Sequence, residues 1–196
     1  ESVITIIYSL AIGISMAATA LVARRIGEKN PEAAARAGAQ TTTLSILITV
    51  ILSIVGFVFA KDILRVMGAS EETIEYGVNY TRILTGGSMV IMLLFLINGI
   101  FRGAGDASMA MKSLVIANIA NIILCPLLIR GWGPVPAYGL TGAAMATTIG
   151  RGIGVIYQLY HLFNGKSVIK MAWSYLKPDW KQIKQIINIA APGTFQ

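Results

Sequence analysis

The sequence predicts an all-α fold, a polytopic membrane bundle of about five complete transmembrane helices plus the start of a sixth. Its mean hydropathy is +0.69 and 13% of its residues are charged, whereas about 25% are charged in an ordinary soluble domain. Five windows reach the roughly 20 mostly apolar residues that a spanning helix needs. Two of these windows, within residues 89–129, are joined by a tight glycine-rich turn and form a predicted membrane hairpin.

A short polar link separates the first two predicted helices. The first helix covers residues 2–23 and ends at two arginines. The link after it contains the helix breakers Gly27, Asn30 and Pro31. The second helix covers residues 32–60; it begins amphipathically and is continuously apolar from Leu44. The two helices are therefore expected to cross the membrane in opposite directions.

Breakers and caps also bound the next three predicted helices. The third helix, residues 76–101, follows a link that begins at Lys61 and closes at Ser70, which is a predicted N-cap. The fourth helix, residues 110–129, ends before a segment with two glycines and two prolines in seven residues, which cannot continue a helix. The fifth helix covers residues 140–163.

A polar stretch follows the fifth helix. Residues 164–185 form a predicted cytoplasmic linker, whose lysines and tryptophans suit an amphipathic segment at the level of the lipid headgroups. Asp179 is expected to cap a further helix that enters the membrane near Ile186, so residues 186–196 are the predicted start of another span. No soluble domain is predicted, and the sequence is interpreted as an internal piece of a longer protein.

The basic residues predict the orientation of the chain. Links one, three and five contain eleven lysines and arginines, and links two and four contain three. Because cytoplasmic loops carry the excess of lysine and arginine, links one, three and five are predicted to be cytoplasmic and Glu1 to be on the outer side. The basic residues follow the ends of apolar runs instead of forming one stripe, which argues against nucleic acid as a partner.

Arg151 is the clearest polar residue within a predicted span. Thr147 and Thr148 precede it by four and three residues, so the three side chains share a helix face. A charge in the bilayer costs at least ~2.5 kcal/mol, which favours a polar patch that lines a cavity or fixes a neighbouring helix. Snorkelling toward a surface is the alternative, and it is the favoured interpretation for Arg82, which lies near the start of its predicted helix.

Small and weakly polar residues run along the last two predicted helices. Gly142, Ala146, Gly150 and Gly154 recur every four residues and are expected to let another helix approach closely. On the preceding helix, Asn121 needs a hydrogen-bond partner and must face protein or water. For this residue, glue between helices and a contact to a substrate or cation both remain open.

The sequence carries no enzyme signature. Residues 103–106 resemble the Gly-x-Gly-Asp motif of intramembrane aspartyl proteases, but that chemistry needs two facing aspartates, and Asp62 and Asp179 lie in links. Asp106 is expected to cap the following helix instead. Motifs of serine and metal hydrolases are absent from the sequence, and the single cysteine, Cys125, allows neither an intrachain disulfide nor a metal site.

Five segments in register resemble the multidrug and toxin extrusion (MATE) family of antiporters. They are residues 21–27, 101–106, 121–129, 139–147 and 178–180 with 191–192. The resemblance implies twelve helices in two six-helix lobes around a central cleft. Residues 1–163 would then form five helices of the N-terminal lobe, residues 164–185 the interlobe linker, and residues 186–196 the start of the first helix of the second lobe.

The resemblance also implies a function. Family members export organic, often cationic, drugs or metabolites across the plasma membrane by alternating access, coupled to an inward flow of Na⁺ or H⁺. The implied partners are the lipid bilayer, a small organic substrate and the second lobe, with no cofactor besides the coupling ion. A lipid-linked oligosaccharide flippase of the same superfamily is the alternative and would be expected to have a more cationic cavity. A membrane-anchored interaction protein without transport is the third possibility.

The resemblance assigns candidate site residues by position. Asn121 matches the asparagine of an Asn-x-x-x-Asp pair, but Cys125 stands where the aspartate is expected, and a neutral thiol is a poor proton or sodium site. Thr147 matches a threonine contact on the next helix, and Arg151 is hypothesised to replace part of the missing polar network. The cytoplasmic turn motif comprises Arg102, Gly103, Gly105 and Asp106.

Overall fold

The computed structural model describes residues 2–164 and 168–194, and helices dominate that part of the chain. The elements are α1 (Ser2–Gly27), α2 (Pro31–Val58), α3 (Ala60–Val66), α4 (Glu71–Gly86), α5 (Ser88–Gly103), α6 (Ala107–Arg130), α7 (Gly139–Phe163), a 3₁₀ helix (Trp173–Leu176) and α8 (Trp180–Thr194). The predicted all-α fold is confirmed. Outside the helices, an isolated bridge pairs Trp132 with Val135 in the loop after α6.

The predicted third helix is two helices, α4 and α5, and begins earlier than expected, at Glu71. The interruption lies at Gly87, whose N–H donates to the carbonyl oxygen of Ile83 over 2.8 Å. A Cβ atom at Gly87 would lie 2.7 Å from the Cγ2 atom of Thr148 on α7. Glycine has a low helix propensity, so two consecutive glycines weaken the helix at this point. The close approach of α7 also leaves little room for a Cβ atom at Gly87.

The predicted link from Lys61 is partly helical. It contains α3, a short helix that follows a break at Phe59. The residues of α3 are good or moderate helix formers without glycine or proline, so local propensity supports a helix that the apolar pattern did not predict. Ala60, its first residue, is buried.

The predicted helix caps are confirmed at Ser70, Asp106 and Asp179. Ser70 Oγ accepts from the N–H of Thr73 at 3.3 Å, and Asp106 Oδ1 accepts from the N–H of Met109 at 3.2 Å. Asp179 Oδ1 accepts from the N–H of Lys181 at 3.0 Å, at the start of α8. Each cap satisfies a donor that the first turn of a helix leaves unpaired.

The centre of the bundle is α5, and α1, α2, α6 and α7 pack around it. Its side chains at Leu96, Ile97, Ile100 and Phe101 are fully or almost fully buried. Glycines on the same helix bring α1 close, because a Cβ atom at Gly99 would meet the backbone of α1. Helices α1 and α7 both pack on α5 but make little contact with each other.

The small-residue ridge of α7 packs against α6, as predicted. A Cβ atom at Gly142 would lie 2.2 Å from the carbonyl oxygen of Leu128, and one at Gly150 would lie 2.9 Å from that of Ala117. The opposite face of α6 is apolar and exposed, with Ile122 at 69%. An exposed apolar face on a spanning helix is what a lipid environment favours.

Within the described residues, four helical stretches are long and apolar enough to span a membrane. They are Ile7–Gly27, Pro31–Val58, Glu71–Gly103 and Ala107–Arg130. The fifth predicted span, α7, is 25 residues long, but its glycines and its polar residues Arg151 and Gln158 make it less apolar. Glu1 and Lys166, which entered the orientation argument, lie outside the described residues.

The segment after α7 is held against α2 by a buried amide. Gln40 is 4% exposed, and its Nε2 atom donates to the carbonyl oxygens of Tyr175 at 2.7 Å and Lys177 at 2.6 Å. Its Oε1 atom accepts from the N–H of Asp179 at 2.8 Å. The predicted linker is therefore docked on the first half of the bundle along residues 175–179.

Apolar contacts reinforce that docking. The linker and the start of α8 bury four aliphatic or thioether side chains, those of Ile169, Met171, Ile183 and Ile186. Trp173 and Trp180 remain 73% and 74% exposed. Buried aliphatic and exposed aromatic side chains agree with the predicted amphipathic segment. The position of this segment at the lipid headgroups remains a prediction, as does the assignment of the chain to two lobes.

Candidate functional site

Arg151 lies at the midpoint of α7 and spans the gap to α1. Its Nη2 atom donates to the hydroxyl oxygen of Tyr8, and its guanidinium carbon lies 5.4 Å from the centroid of the Tyr8 ring. The ring of Tyr8 meets that of Phe95 on α5 edge to face, with centroids 5.7 Å apart. Because α1 and α7 both pack on α5 but scarcely on each other, these side chains bridge two helices that the backbone leaves apart.

Two further predicted residues are hydrogen-bonded to each other, and one of them lies one helical turn from Arg151. Asn121 Nδ2 donates to Thr147 Oγ1 at 3.2 Å, and Thr147 Oγ1 donates to the carbonyl oxygen of Ala143 at 2.9 Å. Thr147 lies one turn before Arg151 on the same face of α7. We call Tyr8, Phe95, Asn121, Thr147 and Arg151 the Arg151 site; all five side chains are half-buried.

Cys125 is not joined to this cluster. It lies one turn beyond Asn121 on α6, is half-buried, and makes no hydrogen bond to another residue of the described chain. The predicted first-lobe residues therefore form one hydrogen-bonded pair, Asn121 and Thr147, and one cation bound to an aromatic hydroxyl. Tyr8 could not be predicted as a partner of Arg151, because 143 residues separate the two in the chain.

Arg151 has no acidic partner among the described residues. The ion pairs found there all lie at helix ends or in links: Arg24 and Arg25 with Glu28, Arg36 with Glu32, and Arg65 with Glu71. At the first of these, the hydrogen bonds from Arg25 and Arg24 lower the pKa of the Glu28 carboxyl below its ordinary value. The charge at the middle of α7 is thus not neutralised within this part of the chain.

Arg82, an arginine of the spanning stretch Glu71–Gly103, has a different environment. Its guanidinium carbon lies 5.7 Å from the ring centroid of Phe57. It also lines an open cleft of about 560 Å³ whose wall includes three glutamates, Glu71, Glu72 and Glu75. Its position beside a polar cleft at the start of α4 fits a cation close to a water-exposed surface.

A second polar cluster lies deeper in the bundle, near the end of α7. Gln158 is fully buried, and its Nε2 atom donates to Asn98 Oδ1 at 2.8 Å and to Ser113 Oγ at 2.9 Å. Ser113 Oγ donates to Asn98 Oδ1 at 3.0 Å, while Gln158 Oε1 finds no hydrogen-bond partner in the described part of the chain. These side chains connect α5, α6 and α7. Gln158 was not predicted as a site residue, although an amide within an apolar helix is a signal that could have identified it.

The turn motif between α5 and α6 is occupied by structural contacts. Arg102 Nη2 donates to Ser15 Oγ at 3.1 Å, and a Cβ atom at Gly103 would lie 2.7 Å from the carbonyl oxygen of Thr19. Gly105 has a φ of +84°, which favours glycine. Asp106 caps α6 and has no second aspartate beside it, so the residues of the motif hold α1, α5 and α6 together.

Acidic and metal-binding side chains do not converge in the described residues. No group of three or more His, Cys, Asp or Glu side chains is placed there to hold a metal ion. Asp62 lies in α3, and Asp106 and Asp179 are helix caps. The three aspartates therefore do not face one another in this part of the chain, while the Arg151 site presents a guanidinium, an amide, hydroxyls and aromatic rings.

Comparisons with known proteins agree on one family. The sequence model of the MatE family matches residues 1–127. The chain is 30% identical over 192 residues to the probable multidrug resistance protein YoeA of Bacillus subtilis, which covers 96% of this chain and 42% of that protein. It is 28% identical over 189 residues to an FAD transporter of Shewanella oneidensis, covering 95% of this chain and 42% of that protein.

The fold is also similar to solved structures. An inward-facing structure of a multidrug resistance MATE family transporter of the MOP superfamily superimposes with a TM-score of 0.88 at 30% identity, over 98% of this chain and 43% of that one. The chain thus spans less than half the length of the relatives that it matches.

Proposed function

Because the chain belongs to the MatE family, we propose that it forms most of the first lobe of a longer transporter, which exports small organic compounds in exchange for Na⁺ or H⁺. The four apolar stretches and the family make it a multi-pass membrane protein. We place it in the plasma membrane, with the bilayer, a small organic substrate and a second lobe as its partners. No cofactor besides the coupling ion enters the proposal, and no enzymatic role is proposed.

The observation that carries this proposal is the combination of fold and site. The chain superimposes along almost its whole length on a multidrug transporter, and polar residues near the middle of α7 bind side chains of two other helices, Arg151 that of Tyr8 on α1 and Thr147 that of Asn121 on α6. Polar residues inside a membrane mark substrate or ion pathways. In such a transporter two lobes would rock about a central site and open it alternately to each side.

The residues of the Arg151 site have separate proposed roles. Asn121 and Thr147 hold each other through one hydrogen bond and would present the remaining amide and hydroxyl capacity toward a bound molecule. Arg151 and Tyr8 would supply a fixed cation and an aromatic face. Cys125 offers no carboxylate, so we place the binding of the coupling ion in another part of the longer protein.

The alternative of an oligosaccharide-lipid flippase is weaker. A phosphate-bearing lipid would favour a cavity with several cations. Arg151 lies at the centre of α7, whereas Arg82 lines an open cleft whose wall includes three glutamates. A single arginine between α1 and α7 suits a small solute better than a lipid pyrophosphate.

The test is transport by the full-length protein in proteoliposomes. A Na⁺ gradient and a H⁺ gradient would be imposed separately, and movement of fluorescent organic compounds of either charge would be followed. Movement driven by one gradient and abolished by collapsing it supports the antiporter and identifies its ion. A correctly inserted protein that moves no compound under either gradient contradicts the proposal.

A further inference from the structure

We propose that the Arg151 site selects organic anions, compounds that carry a carboxylate, phosphate or sulfonate beside an aromatic ring. This inference rests on the proposed transport function and names its substrate class. The resemblance by itself implied organic, often cationic, compounds. The charge in this lobe has the opposite sign to the one that such compounds require.

The distribution of charge is the first argument. The chain has nine acidic residues, and the eight in the described part lie in links or within the first two turns of a helix; they are Glu28, Glu32, Asp62, Glu71, Glu72, Glu75, Asp106 and Asp179. Arg151, in contrast, lies at the centre of α7. In a low-dielectric membrane interior, this guanidinium repels a cationic compound and attracts an anionic one. The charge of the described residues at the Arg151 site therefore favours an anionic ligand.

The unused hydrogen-bonding capacity of Arg151 is the second argument. A guanidinium carries five N–H donors in a planar fork that fits carboxylate or phosphate oxygens in pairs. In the described residues it donates to one acceptor, the Tyr8 hydroxyl. Because Arg151 is half-buried and Tyr8 holds it across the gap between α1 and α7, the remaining donors have a fixed position from which to bind an anion.

The aromatic rings beside the cation are the third argument. The rings of Tyr8 and Phe95 meet edge to face, and both are half-buried. Aromatic rings pack favourably against one another edge to face or in offset stacks, so these two rings would also contact an aromatic ring of a ligand favourably. A ligand with an anionic group and an aromatic body would use the guanidinium and these rings together, and the amide of Asn121 would lie beyond Thr147 for a further polar group.

A fluorescent pair of opposite charge tests the proposal. Fluorescein is an aromatic anion and ethidium is an aromatic cation, so the full-length protein in proteoliposomes would be compared on both under the driving gradient. We expect faster transport of fluorescein, a loss of at least tenfold in Arg151→Gln, and partial recovery in Arg151→Lys, which keeps the charge without the fork. Ethidium transport should not fall in Arg151→Gln.

Two further variants keep the result decisive. Arg82→Gln removes an arginine from a spanning stretch that has glutamates nearby, and we expect it to leave the ratio of fluorescein to ethidium transport unchanged. Tyr8→Phe removes the hydroxyl that holds Arg151 but keeps the cation, so fluorescein transport should fall less than in Arg151→Gln; this gives a second test if Arg151→Gln inserts poorly.

The outcomes separate the inference from the function on which it rests. Preferred transport of ethidium, or fluorescein transport that is unchanged in Arg151→Gln, overturns the anion proposal and leaves the transporter intact. The latter result is also the one expected if a carboxylate elsewhere in the longer protein neutralises Arg151. If the wild-type protein moves neither dye nor any other compound, the proposed function itself fails.

Discussion

A Cβ atom at Gly99 would lie 2.5 Å from the carbonyl oxygen of Ser15, so α5 and α1 are in direct backbone contact at this point. We expect Gly99→Ala to destabilise the protein by about 1–3 kcal/mol, because overpacking at a backbone contact forces the helices apart. Thermal unfolding of the full-length protein in detergent measures the effect. Gly152→Ala is the matched control, since nothing lies within 4 Å of its added Cβ atom; equal unfolding temperatures for the two variants would contradict the contact.

The buried cluster around Gln158 predicts a cost for removing its shared acceptor. Asn98→Leu deprives Gln158 Nε2 and Ser113 Oγ of the oxygen to which both donate, and the loss of stability should be about 1–3 kcal/mol. The control is Asn118→Leu, an exposed asparagine on α6, which should be neutral. If both substitutions shift the unfolding midpoint equally, the cluster contributes nothing specific.

The bond between Asn121 and Thr147 is open to a double-mutant cycle. Asn121→Ala, Thr147→Val and the double variant should show a coupling of about 0.6 kcal/mol, the average for hydrogen bonds between membrane helices. Unfolding in mixed micelles gives the four stabilities. The same cycle with Cys125→Ala in place of Asn121→Ala should show no coupling, and a coupling of equal size there would argue against the observed pair.

The amide of Gln40 predicts protection of the linker backbone. Gln40→Leu leaves the N–H of Asp179 and two linker carbonyl groups without their partner. Since about 1.4 kcal/mol corresponds to a factor of ten, the loss should speed hydrogen exchange at the Asp179 amide roughly tenfold. Exchange mass spectrometry follows it, with the exposed Gln185→Leu as control. Unchanged exchange in Gln40→Leu would mean that apolar contacts alone dock the linker.

The end of α1 should respond to acid. Hydrogen bonds from Arg25 and Arg24 lower the pKa of Glu28 below its ordinary value of 4.5. A lowered pKa means that the folded state favours the carboxylate, so its contribution is present above pH 4.5 and is lost as the pH falls through the lowered pKa. Protection factors of amides in residues 27–30 should therefore fall in that range. Glu28→Gln, which cannot ionise, should remove this dependence; its persistence would assign the acid response to another group.

Local chemistry was predictable from the sequence, and contacts between distant helices were not. Ser70 and Asp106 cap helices a few residues away, so their roles follow from short-range pattern. The break at Gly87 has a local sign, the pair Gly86–Gly87, which the prediction of one helix over residues 76–101 did not weigh. The contact of Gly87 with Thr148 on α7 becomes visible only in the fold.

The candidate site shows the same division. Asn121, Thr147 and Arg151 were identified because polar residues are rare and costly in apolar helices. Tyr8 is an ordinary interfacial or core residue in an apolar sequence, and its role becomes visible only when α1 and α7 lie beside each other on α5. Gln158, like Asn121, is a polar residue in an apolar helix. Its hydrogen-bond partners Ser113 and Asn98 lie 45 and 60 residues away in the chain.

The docking of the linker on Gln40 also has a consequence for synthesis of the chain. The farthest hydrogen-bond partner of this buried amide is 139 residues downstream. At about 5–20 residues per second, ribosomes need roughly 7–28 s to reach it after Gln40 is made. During this interval the amide must be hydrated or held by another factor, so the first part of α2 completes its hydrogen bonds only after the linker has been translated.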